Sequence, residues 1–279
     1  MIFNDYSLIN QILLIGFIIF VFVGFCGFGF KIIEMCYVFK YKKPLYNHLY
    51  FHLKKLNENQ KKVLENQFLF YNKLTEKQQK YFEHRLVLFL NSKAFFGREG
   101  ALITTEVKVL IAATAVMLTF GFRNFDIGLI SKIIVYPKVF FSKTNNAYHK
   151  GEFNPNLKLL VFSWEDFKQG YAIDNDNLNL GIHEFVHAIQ LNSKKRKGVS
   201  AVIFSDTFKE LLQLLSSNEM LRNKLLNSDY FRGYAYTNQF EFLAVAIESF
   251  IETPKAFKSS FPGIYSKIKQ MLNFNIAGY

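Results

Sequence analysis

The chain has 279 residues, of which half are hydrophobic, and this length suffices for one large domain or two small ones with a buried core. Its two cysteines, Cys26 and Cys36, exclude a disulfide framework and a metal site built on thiolates, and they are typical of a reducing compartment. The formal net charge of +12 comes from lysines that are scattered without a recognition motif, so we expect no nucleic-acid partner.

The first predicted element is an uncharged, apolar segment at residues 12–30, which is long enough as a helix to cross the hydrocarbon layer of a bilayer. A cleaved signal peptide is the alternative. However, Asp5 and no Lys or Arg precede the segment, and no small-residue cleavage pattern follows it. Lysines come directly after it, at residues 31, 40, 42 and 43. This charge bias predicts a single-pass anchor with the bulk of the protein in the cytoplasm.

The next part of the chain, residues 46–96, has apolar residues at helical intervals and predicts polar-faced helices. Thr75 and Gln78 match a capping box for one of them. Residues 107–122 form a second apolar stretch. Its charge-free part is too short for a membrane span, so we expect a buried core helix.

Residues 133–137 and 157–163 predict strands, and residues 205–226 and 237–252 predict two amphipathic helices. The sequence thus predicts an α+β fold that is mostly helical, with a small sheet, preceded by one transmembrane helix. We divide the chain into an anchor (1–34), a helical linker with N-terminal helices (35–100) and a third region (101–279), which we predict to be catalytic from the motif described next.

The segment with the most chemical information is His183-Glu-Phe-Val-His187. Two histidines four apart on a helix project from one face, so both imidazoles can reach a single zinc ion. Glu184, beside the first histidine, is placed to deprotonate a zinc-bound water. The run Asp174-Asn-Asp-Asn177 offers N-cap residues for this helix. The alternative is an amphipathic helix with two unrelated histidines, although only six histidines occur in the chain.

A catalytic zinc site needs a third protein ligand, and downstream carboxylates are the candidates. The other four histidines lie on the predicted N-terminal helices or, for His149, in a polar loop. Glu241 lies among apolar residues, where a carboxylate is costly to bury unless it is paired or binds a metal. In the competing interpretation, Asn238-Gln-Phe-Glu241 is a capping box and Glu241 only caps the helix. Glu210 and Glu219 are weaker candidates, and the sequence leaves the choice open.

Five motifs occur together between residues 74 and 254: LTEKQQ from Leu74, VYP ending at Pro137, VFSW from Val161, LGIHEFVH from Leu180 and YAYTNQFEFLAV from Tyr234. This combination resembles the Mlc titration factor A (MtfA) family of zinc-dependent peptidases, whose catalytic domain is related to that of anthrax lethal factor. The resemblance implies a zincin-like metallopeptidase domain. One departure is Asn238-Gln239, where relatives often have Asp-Pro or Asn-Pro; it changes the helix start and leaves the ligand in place.

The resemblance implies that His183, His187 and Glu241 bind a zinc ion and that Glu184 is the general base. We therefore expect a membrane-anchored zinc metallopeptidase that hydrolyses peptide bonds in peptides or proteins. We also expect the strand at residues 157–163 to hold an extended substrate by backbone pairing.

Two further residues take roles from the resemblance. Tyr234 corresponds to a family tyrosine that faces the active site, and its hydroxyl is expected to stabilise an oxyanion. Its alternative is an ordinary aromatic turn residue. Glu248 corresponds to a recurring glutamate, which we interpret as support for a zinc-bound histidine, and its alternative is a partly exposed helix carboxylate.

The competing functional hypothesis is a non-catalytic regulator that uses a zinc-containing helix pair to bind a protein partner, such as a transcriptional regulator. The basic cluster at residues 194–197 allows two interpretations as well. A solvated loop is the commonest explanation for such a run, and contact with anionic lipid headgroups is the next.

Overall fold

The chain begins with one long apolar helix, α1 (Ile2–Tyr41). In this computed structural model the described residues are 2–143, 145–173, 175–195 and 198–279, with side chains described from Leu8 onward. The side chain of Asp5, Asp174 of the predicted cap run, and Arg196 and Lys197 of the basic cluster lie outside them.

Helix α1 is long and apolar enough, from Leu8 to Tyr41, to cross a membrane. The chain divides by its internal contacts into two units, Met1–Leu45 and Tyr46–Tyr279. The boundaries that we predicted after residues 34 and 100 remain predictions.

The core of the second unit is built around α5 (Thr105–Leu118), which is buried along almost its whole length. The Thr104 side chain accepts a hydrogen bond from Val107 N and begins the helix. The second apolar stretch is therefore a buried core helix, as predicted.

Within the second unit, the helices α2 (Glu58–Gln67), α3 (Leu69–Asn72) and α4 (Glu76–Ser92) precede α5. The prediction of helices throughout residues 46–96 is wrong at both ends, because 46–57 is irregular and 94–97 is a strand. Hydrogen bonds to α4 account for the irregular segment. The fully buried Arg85 guanidinium donates to the Asn47 carbonyl, and Lys54 N donates to His84 Nδ1. These contacts bind the backbone of residues 46–57 to α4 side chains in place of a local helix.

The small sheet has four strands in the order β1-β2-β6-β5. They are β1 (Ala94–Gly97), β2 (Lys132–Tyr136), β6 (Leu159–Ser163) and β5 (Gly151–Asn154). The first three are parallel, and β5 pairs antiparallel to β6. Both predicted strands are present, as β2 and β6. A separate hairpin of β3 (Phe140–Ser142) and β4 (Ala147–His149) precedes β5.

The sheet order corrects one expectation. We predicted that residues 157–163 would offer an edge to the substrate, but β6 is paired on both sides. The edge strand next to it is β5, so β5 has the backbone groups that are free for pairing.

The other helices surround the sheet and α5. After α6 (Trp164–Ala172) comes α7 (Leu180–Lys195), which carries the two histidines and packs against α5, β5 and β6. Helix α7 also packs against α8 (Val199–Ser217) and α10 (Gln239–Glu252). The chain ends with α11 (Pro254–Ser260) and α12 (Pro262–Leu272).

The predicted helix at residues 205–226 is two helices, α8 and α9 (Glu219–Asn227). The break occurs at Asn218, whose side chain accepts a hydrogen bond from Leu221 N and starts α9. The predicted last helix is α10, and a 3-10 turn (Gly233–Tyr236) precedes it. The fold is thus mostly helical with a small sheet and one long apolar N-terminal helix, which confirms the predicted class.

Candidate metal centre

Helix α7 begins at a buried asparagine. Asn179 Oδ1 accepts a hydrogen bond from Ile182 N at 3.0 Å, and Asn179 Nδ2 donates to the Gly170 carbonyl at 2.7 Å. The helix is therefore capped by Asn179. The prediction that the run at residues 174–177 supplies the cap is wrong. This start places His183, which is buried, and His187, which is partly buried, one turn apart on the same face of the helix.

Helix α10 supplies the carboxylate that faces these histidines. The Asn238 side chain accepts from Phe240 N and Glu241 N, so it caps α10 by itself. Glu241 Oε2 instead lies 2.9 Å from His183 Nε2 and 3.4 Å from His187 Nε2. Glu241 thus turns away from the helix end, and the capping-box interpretation is wrong.

The three side chains form a cluster of suitable size and chemistry for a metal ion. The two Nε2 atoms are 3.1 Å apart, and all three donor atoms lie within 4.8 Å of one another. A tetrahedral zinc ion with bonds of about 2.0–2.1 Å holds its ligands roughly 3.3 Å apart. Two imidazoles and one carboxylate are a common catalytic zinc set, and they leave one position for water. The residues fit a zinc ion in both spacing and donor type.

A second group of residues orients His183. Glu248 Oε1 lies 2.7 Å from His183 Nδ1, and Glu248 Oε2 accepts from Asn179 N at 2.8 Å. Arg232 Nη2 donates to Glu248 Oε1 at 2.7 Å. A carboxylate oxygen can only accept, so His183 Nδ1 donates to Glu248, and Nε2, which faces Glu241 and His187, is the ring nitrogen that would bind a metal ion.

Arg232 was not identified from the sequence. It lies just before the 3-10 turn, 16 residues from Glu248, and no local pattern links them. Its ion pair holds the fully buried Glu248 carboxylate, which would otherwise be costly to bury. Because Glu248 is fully buried, the alternative interpretation as a partly exposed helix carboxylate is wrong.

The close approach of the side chains in this cluster shifts the pKa values of His183 and Glu241. Burial alone would lower the pKa of His183, but hydrogen bonds with Glu241 and Glu248 outweigh it and raise that pKa to about 9. Burial works against the ionised form of Glu241, yet hydrogen bonds with His183 and His187 hold its pKa well below its usual range. The cluster therefore stabilises positive charge at its centre.

Glu184 lies beside this centre and against strand β5. Burial raises the pKa of its carboxyl group, while the charges of His183 and His187 oppose that shift. A Cβ at Gly151 would lie only 2.7 Å from Glu184 Cγ and 2.8 Å from Glu184 Oε1. The strand can approach Glu184 this closely because residue 151 is glycine, which sequence reasoning did not single out.

Tyr234 lies on the 3-10 turn at the rim of the cluster. Its side chain is 53% exposed, and its ring centroid is 6.0 Å from that of His183. Burial, the charge of Glu241 and a hydrogen bond with Glu241 raise the pKa of its hydroxyl. The hydroxyl is therefore in its protonated, donating form at neutral pH.

The weaker ligand candidates lie outside the cluster. Glu210 pairs with Lys267 at 2.7 Å, and Glu219 is exposed at the start of α9. Of the other histidines, His48 and His52 lie in the irregular segment 46–57, His84 lies on α4 and His149 on β4.

Replacing Glu248 with glutamine is expected to weaken zinc binding by about 10–100-fold, the usual effect of losing an outer hydrogen-bond partner of a ligand histidine. The amide leaves Arg232 without a countercharge and no longer fixes the His183 tautomer. The measurement is competition for zinc against a chelating indicator. Glu210→Gln is the matched control and should bind zinc normally, and an unchanged affinity for Glu248→Gln would contradict the assigned role.

Comparison with known proteins gives two findings. The model of a family described as glucose-regulated metallo-peptidase M90 matches residues 46–273. An uncharacterized protein from Synechocystis sp. is 23% identical over 222 residues, which cover 75% of this chain and 81% of the relative.

Proposed function

We propose that this chain, which belongs to the MtfA family of glucose-regulated metallopeptidases, is a zinc-dependent enzyme that hydrolyses peptide bonds. The observation that carries the proposal is the convergence of His183, His187 and Glu241 beside the buried Glu184. Family membership makes peptides or proteins the substrates. The choice of zinc rests on the donor set of two imidazoles and one carboxylate.

His183, His187 and Glu241 would hold the zinc ion, and each is fixed by the fold. When bound, the ion lowers the pKa of a coordinated water toward neutrality and polarises the carbonyl group that it contacts. Glu248 and Arg232 keep His183 in the tautomer that offers Nε2. Ligands held by hydrogen bonds in this way need little reorganisation during a reaction.

Glu184 is the proposed general base. Its carboxylate would take a proton from the attacking water and deliver it to the amine nitrogen that leaves, as the scissile bond breaks. Tyr234, half exposed at the rim, would donate its hydroxyl hydrogen bond to the oxygen of the tetrahedral intermediate.

Strand β5 is the proposed support for the substrate backbone. It is the edge strand, and its Gly151 lies directly against Glu184. An extended peptide paired with this edge would pass over the catalytic carboxylate.

Metal removal tests the proposed function. A metal-free preparation is expected to lose hydrolysis of a mixed peptide library, and added zinc is expected to restore it. The same chain treated with chelator that is already saturated with zinc serves as the control. Full activity in the metal-free chain would contradict the proposed zinc-dependent function.

We also propose that α1 is a single-pass anchor with the catalytic unit in the cytoplasm, on the basis of its length, its apolar character and the lysines that follow it. External protease should leave the unit of residues 46–279 intact in cells and degrade it in inverted membrane vesicles. A cytoplasmic marker protein provides the control, and cleavage of the unit in intact cells would reverse the orientation.

A further inference from the structure

A cleft of about 520 Å³ opens beside the catalytic groups, and it is lined by α7, α8 and the start of α10. This volume lies within the range of roughly 300–1,000 Å³ that is usual for ligand pockets. Glu184, His187 and Glu241 are among its lining residues. A peptide held at the metal centre would therefore have a neighbouring side chain at this cleft.

The walls of the cleft are mainly apolar. Leu191 follows His187 by one turn on α7, and Phe208 and Leu212 are one turn apart on α8. Phe240, at the start of α10, lines the cleft and is 44% exposed. These side chains leave apolar surface in contact with water, which a large apolar group of a ligand would cover.

The charged residues of the lining are Glu184, Glu241, Lys194 and Lys209. Lys194 follows His187 by seven residues on α7, which is about 10 Å along the helix axis. An extended peptide covers that distance in about three residues. Lys209 is 78% exposed on α8, and its Nζ atom is 3.8 Å from Asp206 Oδ1. Lys194 thus places positive charge at the part of the cleft about two helical turns beyond His187, and Lys209 adds a second positive charge to the lining.

We propose that this cleft determines which peptides are cleaved, an inference that rests on the proposed peptidase function. It accepts a large apolar side chain next to the scissile bond, and Lys194 binds an acidic group about three residues away, with Lys209 adding positive charge to the same lining. Apolar walls favour the side chain by burial, and the lysines favour the acidic group by charge complementarity.

The size preference is tested with the full chain in detergent micelles and two matched peptides, one with Phe and one with Ala next to the cleaved bond. The wild type should favour the Phe peptide by at least about 10-fold in kcat/KM, because even one methylene in an apolar pocket discriminates by that much. Leu212→Trp fills the cleft and should move the ratio of the two kcat/KM values toward one. Gln213→Trp, on the exposed face of α8, should keep the wild-type ratio.

The charge preference is tested with peptides that carry Glu or Lys about three residues from the cleaved bond. The wild type should favour the Glu peptide, more strongly at low salt. The double substitution Lys194→Glu with Lys209→Glu should reverse the preference. Lys255→Glu with Lys258→Glu, both exposed on α11, should leave it unchanged.

The possible outcomes distinguish the proposed role of the cleft from the proposed peptidase function. Metal-dependent cleavage with no preference for size or charge would contradict the role of the cleft and would be consistent with the peptidase function. An equal loss of activity on both peptides for Leu212→Trp, with an unchanged ratio of kcat/KM values, would also contradict the role of the cleft. Failure of the wild type to cleave any peptide would contradict both the peptidase function and the role of the cleft.

Discussion

Replacement of Glu184 by glutamine is expected to lower the rate of peptide hydrolysis by about 10²–10⁴-fold, the usual contribution of a general base. Glutamine has nearly the shape of glutamate, so the packing against Gly151 should be preserved. It cannot take a proton from water. The loss should therefore fall on kcat, while KM and zinc affinity change little.

The measurement is kcat and KM on one peptide, together with the zinc content of the purified chain. Glu165→Gln is the matched control, because Glu165 is an exposed carboxylate on α6 whose distance to Lys138 Nζ is 3.9 Å. Full activity in Glu184→Gln would refute the assigned role. The regulator hypothesis predicts the opposite pattern, in which binding of a protein partner survives and no hydrolysis is detected in the wild type.

The part of the site that lies on one helix was predictable from sequence. His183, Glu184 and His187 are fixed relative to one another by the helical repeat, so their spacing alone predicts their common face. Glu241 was ambiguous because the sequence pattern of a capping box does not say where the glutamate side chain points. The structure resolves this through Asn238, which accepts both hydrogen bonds at the helix start.

Arg232 and Gly151 were missed for a different reason. Their roles depend on contacts between distant parts of the chain, Arg232 with Glu248 and Gly151 with Glu184. A lone arginine in an aromatic turn and a glycine in a polar segment have no periodic signal. The alternation of residues in a strand also does not predict which strands pair with each other. The edge position of β5 is therefore known only from the order of strands in the sheet.

The same principle explains the error in residues 46–57. Their apolar spacing is compatible with a helix, but the Asn47 carbonyl and Lys54 N are hydrogen-bonded to side chains of α4. Arg85, buried at the centre of these contacts, also donates to three carbonyls after α5. Tertiary hydrogen bonds therefore override a local preference that a sequence window detects.

Replacement of Glu241 by alanine is expected to reduce zinc affinity by more than the roughly 100-fold upper range for an outer hydrogen-bond partner, because a direct ligand is lost. Zinc binding should be visible as thermal stabilisation. A metal ion at a hundred times its Kd adds about 2.7 kcal/mol to the folded state. For a domain of this size, that corresponds to an increase of roughly 5–10 °C in Tm.

The wild type should show this increase on addition of zinc, and Glu241→Ala should show almost none at the same zinc concentration. Glu219→Ala is the control, since Glu219 is an exposed carboxylate outside the cluster, and it should keep the full increase. Comparing each variant with its own metal-free form removes any effect of the substitution on the fold itself. A full zinc-dependent increase in Glu241→Ala would mean that the two histidines bind zinc without α10, and the third ligand would have to be sought elsewhere.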